Sequence, residues 1–581
     1  MEKGQKLKIE ITDMSKDGSG IGKFDGAVIF VDGAVLGDRV TAEIFIHKKN
    51  YAVAKLIEIE SFSELRRTGY CKYMEECGGC PLGNLRYEEQ LRLKERWVRD
   101  KLERLGNLKN PVINPIIGME EPVRYRNKAV FTVDGNGKVG YLKKKSHDVV
   151  EVDDCMLQSE ETMGLMRAFS YYLGCLGKNP GAEKIMVRTA PGTESMLTKI
   201  FMSSADEGRN QKERRRGCKG RHDRGKDKKT KNGASKGATA GDGAIKRELP
   251  DPEELVDMLY SGSGEMLESV WIDDRAIAGR KVILDEEDGL RFEISPDSFY
   301  QVNSEQTKKL YAKAMEYADI KGGQTVLDLY CGVGTIGLYA ASRMNNTGLV
   351  IGIETVKSAV LDANRNSVLN GIVNTRYILG KAEDELPAIM EIKPKMGYNE
   401  VNEWVEKEPE LRISHADVVF LDPPRAGCEE ELLDAVTEAA PDRIVYVSCD
   451  PATLARDIKY LTQRGYEFIE ATPVDMFPNT GSVETVVLLS REKVDGHIDI
   501  DLDVEKLESK GGTATYTEIK NYIQDKYGLN VSNLYIDQIK DKAGLEKRKN
   551  YNHGSGDGKV PTCPPEKEKA IMDAFRHFGL I

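Results

Sequence analysis

The stretch Thr325-Val-Leu-Asp-Leu-Tyr-Cys-Gly-Val-Gly-Thr-Ile-Gly337 reads as a short apolar strand, a glycine-rich turn and the first turn of a helix. A strand that feeds a helix in this way is the repeating unit of an α/β domain with a parallel sheet. The pattern continues outward. Val350-Ile-Gly-Ile-Glu354 is a second strand ending in an acid, and Asp417-Val-Val-Phe-Leu-Asp422 is a third that runs into Pro423-Pro424-Arg425. Ile444 to Val447 is a fourth, ending in Ser448-Cys449-Asp450-Pro451, with a helix expected from Thr453 to Tyr460. Ligands of open α/β sheets bind where the strands end, so Glu354, Asp422 and Cys449 are expected on one functional edge. A lone cysteine is more often a small buried hydrophobe. At a strand end facing a helix N-terminus, however, its thiolate can be stabilised by N–H groups and the helix dipole.

The glycine turn carries a ligand signal. An acid about twenty residues beyond such a turn meets ribose hydroxyls. Here the last glycine of the dinucleotide pattern is displaced, and Asp328 to Thr335 looks like an S-adenosylmethionine (SAM) site instead. Amine methyltransferases usually carry Asn-Pro-Pro-aromatic after the third strand. Asp422-Pro-Pro-Arg425 departs from that and argues against amine chemistry.

The 581 residues suit about three to four domains. A net charge of -11 does not advertise a nucleic-acid binder, so any basic surface must be local. No apolar run is long enough to span a membrane and the start is no signal peptide, so a cytoplasmic protein is expected. Ten cysteines in a reducing compartment point to metal binding or catalysis, not disulfides.

Residues 1 to 62 are rich in short strands and glycine turns, with candidates at Leu7–Ile11, Ala27–Val31, Arg39–Ile46 and Tyr51–Ile59. They predict an OB-like barrel, a fold that often binds RNA. Cys71-x5-Cys77-Gly-Gly-Cys80-Pro81 follows. Three closely spaced thiols amid glycines form a nest for a metal, one ligand short of a closed site, and Cys155 is the best fourth. The spacing is unlike the paired CxxC of zinc ribbons, which favours iron–sulfur, with zinc the competing metal. Tyr87 to Leu105 is an amphipathic helix. Arg124, Arg126 and Lys128 alternate as on one strand face and, with Lys143 to Lys145, could line a phosphate track; a solvated edge strand is the plainer reading. Residues 205–248 hold 15 Lys/Arg against 7 Asp/Glu and few large apolar residues, so a disordered basic insertion is expected, with Cys218 no ligand.

Taken together, these motifs resemble the RNA uracil-5-methyltransferase family. The likeness is to the branch with an N-terminal TRAM barrel and a [4Fe-4S] cluster that acts on 23S ribosomal RNA. It rests on Cys71/Cys77/Cys80/Cys155, Phe299-Tyr-Gln-Val-Asn303, the Asp328–Gly334 turn, Leu421-Asp-Pro-Pro-Arg425, Ser448-Cys-Asp-Pro-Ala-Thr453 and Met476-Phe-Pro…Val483-Glu-Thr485, in family order. It implies Gln301, Tyr330, Thr335, Glu354 and Asp422 as SAM contacts and the four cysteines as cluster ligands. The family usually has His where this chain has Asn479 and Ser482, which puts fine positioning near Glu484 in doubt.

The implied chemistry explains the residue types. Carbon 5 of uracil is a poor nucleophile until a Cys449 thiolate attacks carbon 6. Glu484 would then remove the carbon 5 proton, its pKa raised by burial toward the working range, while Asp422 orients the base or the donor. The expected fold is a multidomain α/β protein. It has a TRAM/OB-like barrel over 1–62, an iron–sulfur central domain over 63–290, a Rossmann-like SAM domain over 291–492 and a helical extension over 497–581, with a helix-turn-helix-like module plausible in the last. The expected function is methylation of 23S ribosomal RNA by a monomer. Transfer RNA as substrate, or an inactive RNA-binding assembly factor, are the rivals.

Overall fold

The computed structural model describes residues 1–203, 249–390, 411–491 and most of 516–545 and 563–581. The basic insertion, with Cys218, lies outside them. The chain forms two compact units, Met1–Lys493 and Val494–Ile581.

Five strands open the first unit: β1 (Lys6–Met14), β2 (Gly20–Phe24), β3 (Ala27–Asp32), β4 (Arg39–His47) and β5 (Tyr51–Ser61). They close into a barrel in the order β1-β2-β3-β5-β4. Leu7, Ile9 and Ile11 alternate into its core. The sequence pattern marks four of these strands and misses β2, whose Gly20 and Gly22 carry no apolar signal. Gly22 is needed there: a Cβ would sit 2.7 Å from the Glu10 carbonyl of β1.

The helix α1 (Tyr87–Arg104) leads into a seven-stranded sheet of order β12-β11-β10-β9-β6-β7-β8. Its strands are β6 (Lys128–Val133), β7 (Val139–Leu142), β8 (Val149–Glu151), β9 (Ala182–Ala190), β10 (Ser195–Met202), β11 (Leu267–Ile272) and β12 (Arg275–Gly279). The helices α2 (Glu160–Cys175) and α3 (Pro252–Ser263) cover one face around Phe131, Phe169 and Leu255. The expected basic strand face does not exist. Strand β6 begins only at Lys128, Arg124 is left-handed (φ 54°) and pairs with Asp154 and Glu160, and Arg126 faces the cysteine cavity. Lys143 and Lys145 pair with Glu76 and Asp32. These acids neutralise the proposed track.

A hairpin, β13 (Ile283–Glu287) and β14 (Leu290–Ile294), and α4 (Ser304–Ala318) precede the second sheet. There β15 (Thr325–Leu329), β16 (Leu349–Glu354), β17 (Thr375–Leu379), β18 (Val418–Leu421) and β19 (Arg443–Ser448) run parallel. The connecting helices are α5 (Thr335–Arg343), α6 (Lys357–Leu369), α7 (Ala382–Ile389), α8 (Glu430–Glu438) and α9 (Pro451–Thr462). Strands β20 (Tyr466–Val474) and β21 (Glu484–Arg491) complete the order β17-β16-β15-β18-β19-β21-β20, with β21 antiparallel to both neighbours. Helix α9 starts two residues before the expected Thr453. Asp450 is its N-cap, accepting the Ala452 and Thr453 N–H groups at 2.8 and 3.4 Å, and Pro451 fills N1.

The second unit holds α10 (Tyr516–Tyr527), α11 (Asn533–Lys542) and α12 (Pro565–His577) around Ile519, Ile523, Ile539 and Phe575. Among the described residues no helix is long and apolar enough to cross a membrane.

Candidate active site

The strand order reverses between β15 and β18, which opens a crevice at their C-terminal edge. Tyr330, held at φ 67°, directly follows strand β15, and Gly334 (φ 81°) caps α5. A Cβ at Gly334 would lie 2.6 Å from the Tyr377 hydroxyl, so the turn admits only glycine. Gln301, Tyr330, Gly332, Thr335 and Asp422 line one cavity here. Glu354 lies beside it, its carboxylate accepting the Gly332 N–H at 3.1 Å and the Val356 N–H at 2.9 Å. Thus four of the five expected SAM contacts share the cavity and the fifth orders its rim. Asp328 is fully buried under the turn, where it accepts the Gly337 N–H at 2.8 Å, and burial pushes its carboxyl up to about 7.

Gln301 is set in place by a residue the sequence reading passed over. The Asn127 amide donates to the Gln301 carbonyl and to Ser304 Oγ, both at 2.9 Å. Asn303 caps α4, accepting the Gln306 N–H.

Cys449 and Glu484 are far apart in sequence and meet through strand register. Ser448 pairs with Thr485 across β19 and β21, so the next residues outward are Cys449 and Glu484. Asp422 follows the end of β18 at the same edge. Burial raises the Glu484 carboxyl to about 8, helped by the charge of Asp422, and raises Asp422 to about 7. The Cys449 thiol is also raised, to about 11, by burial first and then by Glu484. The expected thiolate stabilisation at the α9 N-terminus is therefore outweighed by desolvation. Arg425 opposes this. The charge of its guanidinium draws down both Cys449 and Glu484. In the sequence Arg425 argues only against amine chemistry; its place on an exposed loop after β18 is the signal of a further role.

The barrel walls this site. Lys16, between β1 and β2, reaches Asp450 Oδ2 at 3.4 Å, next to the cysteine. A Cβ at Gly481 would lie 1.9 Å from the Lys16 carbonyl, and one at Gly18 would lie 2.2 Å from that of Pro81.

Cys71, Cys77, Cys80 and Cys155 line a separate cavity of about 140 Å³ with Tyr70, Arg126 and Tyr141. That is room for several atoms beyond a single ion. Backbone N–H groups of Tyr73 and Gly79 point at Cys71 and Cys77 sulfur, both at 3.4 Å. Burial raises the thiols of Cys77 and Cys155, and of Cys80 to about 12. Four thiols around a cavity of this size, two of them met by backbone N–H groups, are a donor set that fits a metal centre. Elsewhere among the described residues, His415, Asp417 and Asp442 bring three ligand atoms within 4.8 Å of one another. There Asp417 already accepts the Thr325 N–H and Asp442 pairs with Arg491.

A TRAM-domain model matches residues 1–57, and the tRNA (Uracil-5-)-methyltransferase family model matches residues 271–492. An uncharacterized RNA methyltransferase of Caldanaerobacter subterraneus is 36% identical over 500 residues, 84% of this chain and 98% of that protein. The chain belongs to the RNA (uracil-5-)-methyltransferase family. A relative from Clostridium acetobutylicum, also an uncharacterized RNA methyltransferase, is 36% identical over 518 residues with the same coverage. Among solved structures, the Pyrococcus abyssi tRNA (uracil-54, C5)-methyltransferase in complex with S-adenosyl-L-homocysteine superposes with a TM-score of 0.57 at 22% identity, covering 83% of this chain and all of that one. It shares the fold. Family membership makes this a SAM-dependent RNA methyltransferase with a TRAM domain; the family match stops at residue 492, ahead of α10 to α12.

Proposed function

We propose that this methyltransferase acts on carbon 5 of uridine in 23S ribosomal RNA through a covalent bond to Cys449. The observation that carries the chemistry is the β19–β21 register, which sets a thiol opposite a buried acid at the sheet edge where Asp422 lines the glycine-turn cavity. Cys449, deprotonated beside Arg425, adds to carbon 6, and the electron pair of the 5,6 double bond becomes available at carbon 5. Bound SAM supplies the methyl group. Glu484, poised near 8, then takes the carbon 5 proton; the carbon–hydrogen pair re-forms the double bond and the thiolate leaves. Gln301 and Asp422 hold donor and base in the cavity. The target must leave its stack to reach Cys449, which favours a loop uridine.

The cysteine nest supports an iron–sulfur cluster held by Cys71, Cys77, Cys80 and Cys155. When bound, it would supply metal–thiolate bonds that fix the shape of the RNA-facing domain. Barrel and nest together support ribosomal RNA as the substrate. Transfer RNA is the second reading, since the P. abyssi protein of like fold is a tRNA enzyme. Mapping 5-methyluridine in ribosomal and transfer RNA, with and without this protein, tests the proposal. A site lost from 23S RNA is expected. Loss confined to transfer RNA overturns the substrate, and loss from neither favours an inactive RNA-binding factor.

A further inference from the structure

We infer that Asn479, gripped by Gln90 of α1, is a positioning residue for Glu484. The inference rests on the reading of Glu484 as the base. It is fully buried and left-handed at φ 67°, a conformation Asn tolerates better than most residues. Every polar group it has is used. Its N–H donates to Gln90 Oε1 at 2.9 Å, and its Oδ1 accepts Gln90 Nε2 at 3.2 Å, so the two amides clasp twice. Its Nδ2 donates to the Pro122 carbonyl at 3.1 Å, and its own carbonyl accepts the Leu82 N–H at 3.0 Å.

The flanks of this loop are held as firmly. Lys94, one helical turn beyond Gln90 and also fully buried, pairs with Asp475 at 2.6 Å and donates to the Phe477 carbonyl at 3.0 Å. Two buried polar side chains at i and i+4 therefore face the loop from a single helix. Gly481 is pressed against the Lys16 carbonyl. The chain from Asp475 to Gly481 is bracketed at four points, and three residues later it delivers Glu484 opposite Cys449. Buried polar groups that lose a partner are costly, so the bracket admits few alternative loop positions. It also has a second attachment. Leu82 lies two residues past Cys80, and Arg67, 3.5 Å from Asn479 Oδ1, stacks on Tyr70 of the cysteine cavity.

The test uses the full chain. Asn479→Gly keeps the backbone conformation and removes the side chain. Gln90→Met removes the same clasp from α1. Turnover at saturating RNA is expected to fall about tenfold or more, the scale of a displaced general base. SAM affinity and the rate of covalent bonding to RNA should stay within about twofold, because both precede proton removal. A methylated protein–RNA adduct should then accumulate, as in Glu484→Gln. Iron content should match the parent. Unchanged turnover in both variants, or adduct formation that falls in step with turnover in both, overturns the inference. Should Glu484→Gln itself accumulate no adduct, the base assignment fails. Should Glu484→Gln accumulate one while neither variant does, the bracket alone is wrong.

Discussion

The proposed function asks sulfur to become thiolate in two places, the cysteine nest and Cys449, and they differ in where positive charge comes from. In the nest, Cys77, Cys80 and Cys155 are each raised by burial and by their neighbours' charge. Among the described residues, help comes from backbone N–H groups and from the charges of Arg126 and Lys144. On the proposed reading, four thiolates there would need a metal cation as partner. At the Cys449 edge one thiol faces the buried Glu484 and the half-buried Asp422, and the exposed Arg425 supplies the opposing charge. The proposal thus asks for permanent occupation of the nest, and at the edge for a charge that comes and goes with substrate.

The sharpest test of that contrast is Cys449→Ala. Methylation and any covalent RNA link should vanish while iron content is kept; residual turnover in a labelled-methyl assay would break the comparison. Glu484→Gln should lower turnover by about 10²- to 10⁴-fold yet leave the first bond-forming steps, so an adduct should survive denaturing electrophoresis. Cys155→Ala is the converse. Iron measured on anaerobically purified protein should drop from about four per chain to near none. Cys175→Ala, at an exposed thiol outside the nest, should change nothing, and stoichiometric zinc in the parent would refute the cluster. Apart from the Cys175 control, the smallest effect is expected from Arg425→Gln. Losing the guanidinium raises the pKa of both Cys449 and Glu484, so the rising limb of the pH–rate profile should move up by about one unit. Activity should be poorer near pH 7 and recover at higher pH; an unmoved limb would remove Arg425 from the chemistry.

Much of this was legible in residues 325 to 454, where strand, glycine turn and helix alternate plainly. The tail was also legible as helical, and α10, α11 and α12 fall within the expected 497–581 extension. What sequence could not supply was register. Cys449 and Glu484 can be named from motifs, but only an antiparallel β21 sets them face to face. Local pattern misled at Arg124, Arg126 and Lys128, where alternation suggested a strand and a left-handed turn intervened. It was silent at Gln90 and Lys94, which look like ordinary surface residues of a charged helix and are wholly buried.

Strand β21 has a consequence for how the enzyme is made. It is the last strand of its unit to leave the ribosome, yet it lies inside the sheet between β19 and β20. Until it arrives, β19 and β20 present unpaired edges to each other, and the barrel, made first, has no Gly481 to rest against. A nascent or truncated chain ending near Val474 would carry Cys449 without Glu484. Insertion of this one strand therefore closes the sheet and sets the acid opposite the thiol in the same step.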